Sequence, residues 1–229
     1  MGRNEHDEYS DIDLYCVVQE EHVETFLANR IQHIETYKKT LFVDDIYIIA
    51  PQLIAVYEDM ISIDLFTVTP ATIVNKDAIK VLFDPNGMLL PYQERTTLAL
   101  ESHELQDAVD DTVWYLFQYY RSAKRGNHIW CVHLLQHVFI NFSKVLLHKY
   151  SPERAQLGLK TVDKTLPSNL VQEIEDIFNT ISITTHTIAL EKLVKFINRE
   201  TEWIFQAVDD RHTIEPFWER LRVELSTLN

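Results

Sequence analysis

The hydrophobic period of this chain changes once, near residue 95, and that change restricts its architecture more than any other feature. Before it, short apolar runs rich in β-branched and aromatic residues alternate with turn formers: Asp13–Val18, Asp45–Ala50, Leu53–Tyr57 and Ile61–Val68. These read as strands, the last two joined closely enough through Glu58-Asp59-Met60 for a hairpin. One helix interrupts them, Glu21–Tyr37, with Val23, Phe26, Leu27, Ile31 and Ile34 at helical spacing. A last β-like piece, Lys80–Phe83, runs into the turn formers Asp84-Pro85-Asn86-Gly87. From about Thr96 onward only helical periodicity remains, over Ser102–Lys124, Asn127–Lys149, Ser168–Thr180, Thr185–Val208 and Ile214–Leu225. Gly126-Asn127 reads as a C-terminal cap followed by an N-terminal cap, and Ser151-Pro152 and Pro167-Ser168 punctuate the later helices. The pattern predicts an α+β protein with a mixed β-sheet domain over 1–95 and a C-terminal α-helical bundle over 96–229.

Charge and cysteine content narrow the function. The formal charge is −14, from 35 acidic and 21 basic residues, which argues against a nucleic-acid backbone or an anionic membrane as partner and favours a cationic small molecule. The two cysteines, Cys16 and Cys131, form no disulfide framework and suit a reducing compartment. No signal-peptide pattern or membrane-spanning apolar run is evident, so the expected location is cytoplasmic.

The chemistry concentrates in three acids. Asp11 and Asp13 are two residues apart at the mouth of the first strand, so their carboxylates share one face. Two neighbouring carboxylates repel, and a divalent cation is one way to relieve them. Asp64 interrupts the apolar run Ile61-Ser62-Ile63-Asp64-Leu65-Phe66. If its strand neighbours that of Asp13, three carboxylates converge into the oxygen-rich setting that Mg²⁺ with nucleotide phosphates requires.

The string Asp7-Glu8-Tyr9-Ser10-Asp11-Ile12-Asp13-Leu14 resembles the D-x-D strand of the nucleotidyltransferase superfamily. The chain is similar, more narrowly, to the bacterial lincosamide and aminoglycoside nucleotidyltransferases. Ile63-Asp64-Leu65 after the hairpin, the turn at Asp84–Gly87 and the helix ending Lys124-Arg125-Gly126 fall where that family has like features. The resemblance implies that Asp11, Asp13 and Asp64 are the catalytic, Mg²⁺-binding acids. It implies that Ser10, Lys124 and Arg125 contact ATP or another nucleoside triphosphate, and that AMP passes to a hydroxyl of a small, cationic acceptor. A second-domain acid, Glu104, Asp110 or Asp111, could face that acceptor. The family also carries a Gly-Ser phosphate loop ahead of the first Asp, which this chain, opening Met1-Gly2, lacks. The expectations are a start placed too far downstream or a degenerate, non-catalytic homologue that binds a ligand or partner, with Gly2 a remnant of the loop. An uncovered sheet edge would then call for a homodimer or bring a tendency to aggregate.

Blander readings stand beside these. Asp11 and Asp13 could continue an acidic tail containing Glu5, Asp7 and Glu8, Asp64 could be a solvent-facing edge residue, and Lys124 and Arg125 could simply complement a helix dipole. His133 and His137 share a helical face, but no Glu stands as in H-E-x-x-H, which favours packed or interfacial histidines over zinc. Trp114, Tyr115, Phe117, Tyr119 and Tyr120 suit a core, an acceptor pocket or a dimer contact. The Arg121 to His128 spacing found in small helical RNases here crosses the Gly126 break.

Overall fold

The structure is a computed structural model, described over residues 7–73, 79–92 and 97–228. Gly2 and Glu5 lie outside the described residues. The chain forms two compact units, Met1–Thr96 and Thr97–Asn229.

The first unit is a four-stranded mixed sheet. Strands β1 (Ile12–Val17), β2 (Thr40–Tyr47), β3 (Pro51–Tyr57) and β4 (Ser62–Val68) lie in the order β1-β4-β3-β2. β1 runs parallel to β4, while β3 is antiparallel to both β4 and β2. A parallel pair cannot close through a tight turn, and the chain between β1 and β4 contains α1 (Val23–Ile34) and the β2-β3 hairpin. Alternation then sorts the residues. Ile12, Leu14, Cys16, Leu53, Ala55, Ile63 and Leu65 join Phe26 and Ile34 of α1 in one apolar cluster. The positions between them, Asp13, Tyr15, Gln52, Asp64 and Phe66, project to the opposite face.

The hairpin between β3 and β4 turns at Glu58–Met60, as the sequence predicts, with Met60 at φ 67°. Two readings shift. β2 starts at Thr40 rather than Asp45, and residues 48–50 form its turn. Lys80–Phe83 is loop, with Leu82 and Phe83 exposed.

The second unit is helical throughout: α2 (Ser102–Lys124), α3 (His128–Tyr150), α4 (Val162–Thr165), α5 (Ser168–Phe178), α6 (His186–Ala207) and α7 (Arg211–Leu225), with a kinked 3₁₀ segment at Pro152–Lys160. Gly126 ends α2 at φ +70°, a conformation in which a Cβ would be strained. Asn127 occupies the N-cap position of α3, yet its side chain makes no capping bond. α3 is apolar nearly all round because it is the central helix. Cys131, Leu135, Val138, Phe139, Phe142 and Leu147 are fully enclosed. Its length and hydropathy would suffice for a membrane span, but more than half of its most apolar window is packed inside this unit.

Candidate active site

Strand register brings the predicted acids together. Asp13 of β1 stands opposite Asp64 of β4 in the parallel pair, so the two side chains leave the same face of adjacent strands spaced about 4.8 Å apart. Asp11 lies one residue before β1, on the same alternation. Its negative charge reaches Asp64. Burial first, and the Asp11 charge second, hold the Asp64 carboxyl above the usual carboxylate range, while a hydrogen bond from Gln52 opposes them.

Two residues that the sequence reading passed over complete this face. Gln52, buried in β3, donates from Nε2 to Asp64 Oδ2 at 3.0 Å. Tyr15, two residues beyond Asp13, stacks on Phe66 with ring centroids 4.6 Å apart. Its phenol is pushed up by burial and by the charge of Asp13. A signal existed for each: Gln52 is a lone amide in the run Pro51–Tyr57, and Tyr15 continues the period-two series Asp11, Asp13.

The donor chemistry fits a hard cation. Carboxylate oxygens with no nitrogen or sulfur among them suit Mg²⁺, and the repulsion between Asp11 and Asp64 is of the kind a cation relieves. Among the described residues no three His, Cys, Asp or Glu side chains are gathered into a metal-holding group. Mg²⁺ does not need one, since it commonly takes one or two carboxylates and completes its shell with water and phosphate oxygens.

The other predicted site residues fall elsewhere. Ser10 closes a turn with Asp7: its hydroxyl donates to Asp7 Oδ1 at 3.0 Å and accepts from the Asp7 N–H at 3.0 Å. Lys124 and Arg125 belong to the helical unit. Lys124 donates to Thr227 Oγ1 at 3.3 Å and lies over the Tyr120 ring, and Arg125 caps α2. Asp110 accepts from Gln106 at 2.8 Å. Glu104 accepts from the Glu101 N–H at the start of α2 and from Gln156. Glu104 and Asp111 also meet, with Asp107, Asn141, Lys144 and Gln156, around a cleft of about 350 Å³ in the helical unit. Arg121 lies over the Phe117 ring, whereas His128 bonds His186, so the two do not form a joint RNase-like pair.

The class defined by these observations is an α+β protein with an acidic strand-borne site. No protein-family model matches the chain, and no curated protein sequence matches it. Among solved structures it is similar to an aminoglycoside 6-adenyltransferase from Bacillus subtilis, with TM-score 0.41 and 11% identity over 94% of this chain and 89% of that one.

Proposed function

We propose that the chain is a Mg²⁺-dependent nucleotidyltransferase that moves a nucleoside monophosphate, AMP from ATP, to a hydroxyl of a small molecule such as a lincosamide or aminoglycoside antibiotic. The observation that carries this reading is the register of Asp13 against Asp64 on parallel strands, with Asp11 on the same alternation. Asp11 and Asp13 would hold the ion, which when bound would offset phosphate charge and orient the triphosphate. Asp64 is suited to be the base. Its carboxyl is held above its usual range first by burial, and a more basic carboxylate is the better acceptor for the proton of an attacking hydroxyl. In the proposed reaction the acceptor oxygen bonds to the α-phosphorus as the bond to the bridging oxygen breaks. The acceptor proton passes to Asp64 and pyrophosphate leaves.

A cationic acceptor agrees with the net charge of −14. The composition likewise supports a cytoplasmic setting, with no nucleic acid or membrane as partner. A second reading, a ligand-binding homologue without catalysis, is supported by one observation: the Ser10 hydroxyl is engaged by Asp7.

The test is transfer of labelled nucleotide from ATP to a panel of lincosamides and aminoglycosides, read by mass as addition of one nucleoside monophosphate. The proposal expects product from the intact chain and none from Asp13→Asn. Binding of the panel without product, by a chain that also binds Mg²⁺·ATP, would establish the second reading.

A further inference from the structure

We propose that His133 and His137 form a two-imidazole clamp for a borderline first-row divalent cation such as Cu²⁺, Ni²⁺ or Zn²⁺, a site separate from the carboxylates of the sheet. The residues are one helical turn apart on α3, and their Nε2 atoms approach to 3.0 Å. Two nitrogens bound to one ion at 2.0–2.1 Å, at angles between square and tetrahedral, are separated by about 2.9–3.4 Å. The observed 3.0 Å falls within that range.

The rings are also held in place. Trp130 packs against His133 with centroids 4.6 Å apart, His133 meets His137 edge-on at 4.5 Å, and Tyr115 of α2 stacks on His137 at 4.8 Å. This ladder of four rings fixes both imidazoles before binding, which lowers the ordering cost of capturing an ion. Both histidines are half-buried, so part of each residue reaches solvent, from which water can fill the remaining positions. Imidazole nitrogen selects Cu²⁺, Ni²⁺ and Zn²⁺ over Mg²⁺, the reverse of the all-oxygen face of the sheet. The competing account is an N–H···N hydrogen bond between two imidazoles, which occupies the same distance and binds nothing.

The experiment uses the untagged full chain. Cu²⁺ and Ni²⁺ are titrated by calorimetry in the presence of excess Mg²⁺, and the Cu²⁺ complex is examined by electron paramagnetic resonance. Wild type is expected to take up an ion at this pair with two nitrogen couplings, Cu²⁺ more tightly than Ni²⁺. His133→Ala and His137→Ala should each weaken binding by at least the roughly 10–100-fold that loss of a mere outer-shell partner costs. Asp11→Ala should leave this binding unchanged, so failure here is distinguishable from failure of the nucleotide site. His137→Gln, checked for retained helicity by circular dichroism, guards against a folding artefact. Binding unaffected in the His133→Ala/His137→Ala double variant, a spectrum lacking two nitrogens, or no uptake by wild type would each overturn the proposal.

Discussion

Gln52→Leu tests whether the acidic face is tuned by its neighbour in β3. Gln52 is buried and donates to Asp64 at 3.0 Å, and this bond lowers the Asp64 pKa against burial and the Asp11 charge. A hydrogen bond to a charged acceptor contributes about 1.5–3 kcal/mol, against about 0.5–1.5 for a neutral pair. Asp64 is half-buried, so the lower part of the charged range applies and the expected loss at pH 7 is about 1–2 kcal/mol. Below the carboxylate range Asp64 is protonated in both folded and unfolded chains and only the neutral-pair value remains. The packing change from amide to isobutyl is independent of pH. The difference between the losses at pH 7 and pH 3 therefore isolates the contact with the ionised carboxylate, about 1 kcal/mol. Urea unfolding of the sheet unit, followed through its own NMR resonances, should show a midpoint difference of about 0.5 M between the two conditions. The Asp64 carboxyl should titrate higher in the variant. Equal losses at both pH values, with Asp64 titration unchanged, would refute the role given to Gln52.

Other residues give independent expectations. In the helical unit the Tyr119 hydroxyl meets His186 Nδ1 at 2.5 Å, and His186 Nε2 meets His128 Nδ1 at 2.9 Å. Tyr119→Phe should cost about 1–2 kcal/mol in chemical denaturation. The His186 pKa is lowered by burial first and by His128 second. Its contribution to stability is thus complete above the unfolded imidazole value near 6.5 and lost on acidification below it. His186→Gln should flatten that acid limb, leaving the part due to His148, which burial shifts the same way. Cys131 is enclosed and its thiol is pushed up to about 11, so a dithio reagent at pH 7.5 should label it only after unfolding. Gly158 has φ +53° and ψ −136°, and a Cβ there would lie 3.3 Å from Ser143 Oγ. Gly158→Ala should cost about 1–3 kcal/mol, read as a fall in thermal midpoint.

The order of sheet then helices was legible because periods of two and of 3.6 are hard to confuse over long stretches, and Gly126 and Pro152 mark real breaks. β2 was placed too late. The run Ile46-Tyr47-Ile48-Ile49 drew the expectation forward, but Ile48 and Ile49 are exposed in the hairpin turn, while the true start, Leu41-Phe42, is an edge segment with exposed side chains. Lys80–Phe83 has strand composition but no strand partner among the described residues. The kinked helical segment after Pro152 escaped notice because Gly158 interrupts its period. At the site, Asp64 stood out as a charge inside an apolar run, whereas Gln52, the lone amide of its run, gives a weaker contrast because it is uncharged. The Tyr119, His186 and His128 chain could not be read at all. Its members are 58 and 67 residues apart, and only the tertiary fold brings them together.

Calorimetry of Mg²⁺·ATP added to the full chain tests the central claim most directly. The account predicts saturable binding that requires Mg²⁺ and is lost in the Asp11→Ala/Asp13→Ala double variant, with the fold retained. Absence of binding to the intact folded chain, or binding unchanged in the double variant, would contradict it.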